Sequence, residues 1–433
     1  MTAAVLAQDL LDFIDASPSP WHAVASIEQK LLTFNFQRLE ETNVWSLSSG
    51  GRYYVIRDDS SIVLFVLGKQ SVAETGFKIV GAHTDSPGLR VKPNPLLNSD
   101  NIQRLALEVY GGPILATFTD RDLGLAGRVA YQDAAANIIS RLVKFPNPLL
   151  RLPNLAIHMN RAVNEDGLKL NKQTELAAIL SANANQQLHA DYFSSLLSLA
   201  SGIAEADILG WELNAYDTQS GSFWGAEQEF LANSQLDNLA SCHAGLSAFL
   251  AETSLNSGNS LVCAFFDHEE VGSESCKGAS GSLLGDILQR IVNATDTSRD
   301  AYHRAMTHSF MISADMAHAY QPSFPNAYEP NHKLLVNQGP VIKINANQRY
   351  ASECKSAAQF IQYCRKAGVP YQQYSHRGDL PCGSTIGPLT SAKLGIRTVD
   401  VGNPMWAMHS LRESAGVLDH SYIVQALSSF FTN

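Results

Sequence analysis

Apolar side chains recur at helical spacing from Ala3 to Ala16 and again from Trp21 to Phe34, with Ser17-Pro-Ser-Pro20 between the two stretches. Strand patterns follow at Arg52 to Ile56, Ser61 to Leu67 and Phe77 to Ala82. Beyond Asp237 the two periods alternate. The pattern predicts a helix from Leu239 to Leu250, a strand over the apolar run Leu261 to Phe266, a helix near Leu283 to Val292 and a strand from Phe310 that ends at Asp315. A helix from Ser356 to Ala367 and a strand from Gly395 to Gly402 complete the series. Helices and strands in alternation predict an α/β core whose sheet is largely parallel.

Between Val91 and about Asn233 the texture changes. Ile102 to Tyr110 alternates through Leu105, Leu107 and Val109, while Gly127 to Tyr131 and Leu155 to Met159 read as further short strands. Leu176 to Ala184 and Phe193 to Ile203 read as helices. The simplest organisation is a discontinuous α/β domain, residues 1–91 and 234–433, interrupted by a β-rich domain at 92–233.

Composition narrows the class. The chain has 433 residues, 45% hydrophobic and 17% charged, which suits a globular protein of two or three domains. A net charge of −10 and a pI near 5.7 argue against nucleic acid or an anionic membrane as partner, since both attract basic surfaces. The six cysteines form no Cys-x-x-Cys pair and read as reduced thiols. Asp9 and Asp12 interrupt the apolar face of the first helix, which lacks the basic start of a signal peptide, and no apolar run approaches the roughly 20 residues of a membrane span. The expectation is a soluble cytoplasmic protein.

The predicted strand ends carry the chemistry, and open α/β sheets bind their ligands there. Glu269 and Glu270 follow the Leu261 to Phe266 run. Adjacent carboxylates repel each other unless a cation or a shared proton compensates them. His83 ends the strand from Phe77, with Asp85 two positions on. Asp237 opens the periodic stretch from Leu239, Asp315 ends the strand from Phe310, and His409 follows the strand from Gly395. Taken singly, His83 fits a satisfied core histidine, Asp237 a helix N-cap, and Asp85 and Asp315 turn residues. Together they fit a two-metal hydrolytic site, because zinc takes imidazole nitrogen and carboxylate oxygen and a paired site needs such a set with one shared ligand. Cobalt and manganese suit the same donors. If Asp237, Glu270 and Asp315 offset the ions' charge, Glu269 is left over to handle protons. The segment His268-Glu-Glu-Val-Gly272 lacks the second histidine of a one-zinc His-Glu-x-x-His protease, so His268 reads as a packing neighbour.

Seven segments carry a resemblance. They are Gly81-Ala-His-Thr-Asp-Ser-Pro87, Gln235-Leu-Asp-Asn238, Asp267-His-Glu-Glu-Val-Gly-Ser273, Ser313-Ala-Asp-Met-Ala-His-Ala319, Gln348-Arg-Tyr-Ala-Ser352, Pro381-Cys-Gly-Ser-Thr-Ile-Gly-Pro388 and Ala407-Met-His-Ser-Leu-Arg-Glu413. The chain resembles the M18 metallopeptidases, the family of aspartyl aminopeptidase, from Ser17 almost to its C-terminus. The resemblance implies a zinc-exopeptidase-like domain with a mixed, mostly parallel sheet, an inserted dimerisation domain, and a dodecameric homo-oligomer. It implies two Zn²⁺ per subunit bridged by Asp237, with His83 and Asp315 on one ion and Glu270 and His409 on the other. Glu269 would be the general base, and Asp85 would orient His83. For peptide substrates it implies Lys343 as the recogniser of an acidic first residue, His158 as a group reaching a neighbouring subunit's site, and His318 and the Gly383 to Gly387 loop as backbone contacts. Thr119 departs from the family pattern, which has an aromatic residue before its Asp-Arg-Asp element. Three alternatives stay open: an aminopeptidase for neutral residues, a deacylase of N-acyl amino acids using the same dinuclear site, and a non-catalytic assembly protein.

Overall fold

A computed structural model describes residues 2–182, 192–251, 258–296 and 298–433. Its first two helices start where local chemistry dictates. Thr2 accepts a hydrogen bond from the Val5 N–H ahead of the helix Ala3–Ala16, and Ser19 does the same for His22 ahead of Pro20–Thr33, with Pro20 at the first position. Cys354–Ala367 begins with a capping box between Glu353 and Ser356 and stops at Gly368 in left-handed backbone.

A nine-stranded mixed sheet forms the centre. Across it the strands run Gln37–Arg38, Arg52–Arg57, Ser61–Val66, Ser260–Phe266, Phe77–His83, Phe310–Ala314, Arg397–Gly402, Val341–Ile344 and Gln372–Ser375. The middle four are mutually parallel, so their carboxyl ends lie along one edge. Register sharpens this: Phe266 pairs with His83, and Ala314 with Val401. All seven residues of Ser260–Phe266 are buried, as a strand covered on both faces requires. One face packs against Ala3–Ala16, Pro20–Thr33, Leu236–Leu250, Cys354–Ala367 and Val417–Thr432, the other against Leu283–Thr295 and Ala301–His308.

A separate six-stranded antiparallel sheet takes its strands from residues 88–217, in the order Ile138–Lys144, Leu123–Gln132, Ile208–Asp217, Gly88–Ser99, Ile102–Tyr110 and Ala177–Ala182. It has its own apolar core around Leu105, Leu107, Leu125, Val129 and Leu213. A third, five-stranded sheet joins Ser222–Trp224 and Phe230–Asn233 to Glu413–Gly416, Pro404–Trp406 and Ala317–His318.

Two expectations are corrected here. Leu176 to Ala184 is not helical over its described part: Ala177–Ala182 is an edge strand paired with Ile102–Tyr110, because long-range pairing outweighs the helix preference of Leu and Ala. Residues 183 and 184 lie outside the described residues. Leu155 to Met159 is not a strand but an exposed segment entering a turn, with Leu155 69% and Met159 77% exposed. No described helix is long and apolar enough to cross a membrane. All six cysteines are free thiols.

Candidate metal centre

The parallel strand ends bring six of the sequence candidates to one cleft of about 580 Å³: His83, Asp237, Glu269, Glu270, Asp315 and His409. His318, Lys343, Tyr350, Tyr374 and the Gly383–Ser384–Thr385 turn also line it. Asp85 lies behind, fully buried. His158 sits in the exposed turn after Leu155 and does not line this cleft.

Backbone geometry aims these side chains. Gln235, His268 and His409 adopt left-handed φ of 58°, 66° and 69°, an unfavourable region for non-glycine residues that clusters at functional sites. Glu269 and Glu270 begin a short 3₁₀ turn, and their N–H groups both donate to the Asp85 carboxylate at 3.1 Å. Glu413 is buried below the cleft and accepts from Asp237 N–H at 3.1 Å and His409 N–H at 2.7 Å. Gly402 allows the two central strands to converge behind Asp315, since a Cβ there would fall 1.6 Å from the Asp315 carbonyl oxygen.

Hydrogen bonds fix both imidazoles. His83 Nδ1 lies 3.0 Å from the Asp85 carbonyl oxygen, and His409 Nδ1 lies 3.1 Å from that of Gly112. A carbonyl only accepts, so each ring carries a proton on Nδ1, and Nε2 is the nitrogen left for a metal. Both Nε2 atoms face carboxylate oxygens across the cleft. His83 Nε2 is 3.4 Å from Asp237 Oδ1 and 3.5 Å from Asp315 Oδ1, while His409 Nε2 is 3.6 Å from Asp237 Oδ2 and 3.5 Å from Glu270 Oε2. Asp237 Oδ1 is buried and makes no hydrogen bond.

These are the separations that a cation produces. Ligands at about 2.0–2.1 Å from a tetrahedral zinc ion lie about 3.3 Å apart. One Asp237 oxygen belongs with each histidine, and His83, Asp237 and Glu270 offer donor atoms within 4.8 Å of one another. The residues therefore fit a bridged pair of ions, with zinc matching the mixed imidazole and carboxylate set.

The electrostatics agree. Burial and then the nearby Asp315, Asp85 and Asp237 push Glu269 up to about 8, against the pull of His83. Burial and Asp237 raise Glu270 and Glu413 well above the carboxylate range. Burial alone would lower His83, but Asp237, Asp315 and Asp85 hold it well above an ordinary histidine. Lys343 is 3% exposed, with Nζ 3.3 Å from Asp315 Oδ2. His318 is lowered to about 4 by burial and then by Lys343, and so is neutral at pH 7.

Three contributors are not evident from the sequence. Tyr110 donates to Asp85 Oδ2 at 2.7 Å, Gly112 acts through its carbonyl, and Glu413 receives two backbone N–H groups. Only Glu413 belongs to a segment that carries the family resemblance, at the end of Ala407-Met-His-Ser-Leu-Arg-Glu413. His268 bonds Ser275 Oγ through Nδ1 at 2.9 Å and is outside the ligand group.

Comparisons with known proteins converge. A family model described as Aminopeptidase I zinc metalloprotease (M18) matches residues 13–431. The chain is 46% identical over 434 aligned positions to the "Probable M18 family aminopeptidase 2" of Pseudomonas paraeruginosa, covering 99% of each. It is similar to a chain in a solved Ape4 and Nbr1 complex, with 37% identity, a TM-score of 0.96, and coverage of 100% of this chain and 86% of the other. It is also similar to the Saccharomyces cerevisiae mApe1 dodecamer, at 27% identity and a TM-score of 0.87, over 99% and 96% of the two chains.

Proposed function

The chain belongs to the M18 family of zinc metalloproteases, and from that membership and the donor geometry we propose a two-zinc aminopeptidase with Glu269 as its general base. It is a metalloaminopeptidase; the ion count, the base and the preferred residue are our reading. One observation carries it: the two Asp237 oxygens face different histidine Nε2 atoms at 3.4 and 3.6 Å.

Asp237 is proposed to bridge the ions, with His83 and Asp315 holding one and Glu270 and His409 the other. Bound zinc supplies Lewis acidity towards a peptide carbonyl and lets water ionise near neutral pH. Glu269 lines the cleft beside the proposed ligands without being one of them, so it suits taking a proton from the attacking water and returning it to the departing amine. Asp85 keeps the Glu269–Glu270 turn and the His83 ring in place. The carboxylates around the cleft favour the free α-amine of a substrate, which restricts cleavage to the N-terminal residue.

Lys343, at the cleft wall, is proposed to receive an aspartyl or glutamyl side chain. A second reading has its own support. Lys343 is already paired with Asp315, which reduces the charge it offers a substrate and favours neutral residues. We also propose a homo-oligomer, supported by the dodecameric yeast neighbour and the exposed Leu155 to Met159 turn. His158 in that turn would serve a neighbouring subunit's cleft.

The test is Glu269→Gln assayed on aspartyl- and leucyl-arylamides, with zinc content measured in parallel. The variant should keep its zinc while kcat falls by at least about 10²-fold, the scale for loss of a general base. Full activity would overturn the role of Glu269. In the same assay Lys343→Met should lose aspartyl turnover and keep leucyl turnover; unchanged aspartyl turnover selects the neutral-residue reading.

A further inference from the structure

The segment from Tyr110 to Thr117 leaves the last residue of a strand in the six-stranded sheet and crosses to the metal centre. Within eight positions it makes five contacts there. Tyr110 donates to Asp85 Oδ2 at 2.7 Å. Gly111 packs against Glu270: its φ is +66°, and a Cβ would come within 3.1 Å of the Glu270 Cβ. The Gly112 carbonyl accepts from His409 Nδ1 at 3.1 Å, and Ile114 N–H donates to the His409 carbonyl at 2.9 Å. Thr117 Oγ1 accepts from Leu411 N–H at 2.9 Å while donating to the Ile114 carbonyl at 2.7 Å, which ties the His409 loop to the segment's own turn.

These contacts are unequal between the two proposed ions. Gly111, Gly112, Ile114 and Thr117 all reach Glu270, His409 or the loop that carries His409. The other pair is held by the central sheet itself: His83 ends a strand and bonds the Asp85 carbonyl, and Asp315 N–H donates to Val401 at 2.8 Å. Only Tyr110 touches both halves, through Asp85. The segment is itself braced at its root, where the Arg90 guanidinium stacks 3.7 Å from the centre of the Tyr110 ring.

We propose that the Tyr110 to Thr117 segment, supplied by the six-stranded sheet of the same chain, is the outer support of one metal position, that of Glu270 and His409, and sets its affinity separately from the other. Thr117 and Gly111 are positioning residues in this scheme, because they touch neither ion nor substrate. A ring whose Nδ1–H is held by a carbonyl keeps its orientation and its donor strength, and loss of such outer partners typically weakens metal binding by about 10- to 100-fold. The inference rests on the two-ion reading above, and the experiment separates the two.

That experiment is a zinc titration in competition with a chromophoric chelator, on the full chain and on Thr117→Val, Thr117→Ser and Gly111→Ala, with melting temperature and oligomer size recorded for each. Wild-type stoichiometry judges the two-ion reading alone: two ions per chain support it, and any other number overturns it. The variants judge the support. Thr117→Val should weaken one ion by about 10- to 100-fold and leave the other unchanged, and Thr117→Ser, which keeps the acceptor oxygen, should restore wild-type binding. Gly111→Ala, which is strained at φ +66° and presses on Glu270, should give the same one-ion loss. Unchanged affinity in folded Thr117→Val, equal loss at both ions, or failure of Thr117→Ser to restore binding overturns the inference.

Discussion

Asp400, on the central sheet, and Asp237, at the start of the helix Leu236–Leu250 that packs on it, are both buried and meet burial in opposite ways. Asp400, on the strand Arg397–Gly402, is fully buried. Its Oδ1 accepts from Ser313 Oγ at 2.5 Å and Thr385 Oγ1 at 2.6 Å, and its Oδ2 accepts from Ala351 N–H at 2.5 Å. Asp237 has no such set: one oxygen makes no hydrogen bond, and both face imidazole nitrogens. An isolated buried carboxylate costs several kcal/mol unless hydrogen bonds or a counter-charge meet it. The fold supplies donors to Asp400, whereas at Asp237, Glu269 and Glu270 it gathers further carboxylates. Burial therefore does not distinguish a brace from a ligand. The count of donors aimed at the oxygens does.

The largest effect should follow from removing the ligand proposed to be shared. Asp237→Asn leaves one oxygen where two are needed, so zinc retained after dialysis should drop below two ions per chain. The fall in kcat/KM should exceed the about 10²-fold ceiling typical of outer partners. Elemental analysis with steady-state kinetics measures both, and a variant with full zinc and activity would put Asp237 in the same class as Asp400.

Metal removal by chelation comes next, and its pH dependence tests whether the cluster lacks donors. In the metal-free chain Glu269 is raised to about 8, and Glu270 and Glu413 are well above the usual range. The folded chain then holds protons that the unfolded chain releases above about 4.3, the ordinary value for a glutamate. Stability is therefore present at low pH and is lost as pH rises towards 8. His83 and His409, also raised, act in the same direction. A tenfold difference in proton affinity between the folded and unfolded chains is worth about 1.4 kcal/mol. Asp400 is raised by burial too, but equally with and without metal, so it cancels in the difference. The gap in melting temperature between zinc-loaded and chelated protein should therefore widen from pH 5 to pH 8. A constant gap would mean that the cluster is satisfied without a cation.

The same contrast decides what could be read from the sequence. His83, Glu269, Glu270 and Asp315 stood out as candidates because each is a metal-competent type where an apolar strand ends, Asp237 because it opens a helical stretch and His409 because it follows a strand; the parallel strand ends carry the first four to one edge. Their supports did not stand out. Asp400 lay inside a recognised strand, but nothing local tells that Ser313, Ala351 and Thr385 converge on it. Gly112 and Ile114 act through backbone atoms, which no residue type announces. The strand Gly88–Ser99 was masked by Pro93 and Pro95, which the sheet accommodates by an irregular register between Val91 and Leu96. Helix and strand confusion at Leu176 to Ala184 has the same origin: the partner strand is remote in the chain, with Ala106 opposite Ala177 and Ile102 opposite Ala182.

The smallest effect, and the sharpest test of the contrast, is Asp400→Asn. Asparagine keeps the shape and one acceptor oxygen. Turned towards Ala351, that oxygen preserves the backbone hydrogen bond, and the new NH₂ faces the Ser313 and Thr385 hydroxyls, which can rotate to accept it. The rearranged site stays nearly satisfied, so the loss should be near the about 1 kcal/mol of a typical hydrogen bond and lower the melting temperature by only a few degrees. Zinc content and kcat should not change. KM should rise modestly, because Asp400 holds Thr385 and the residue after Tyr350, and both Thr385 and Tyr350 line the cleft. Replacement by Ala removes the acceptor for all three donors and should cost about 1–3 kcal/mol for each group left buried and unpaired. A mild asparagine and a severe alanine at position 400, beside a severe asparagine at 237, is the pattern expected of one carboxylate needed for its hydrogen bonds and another needed for its charge.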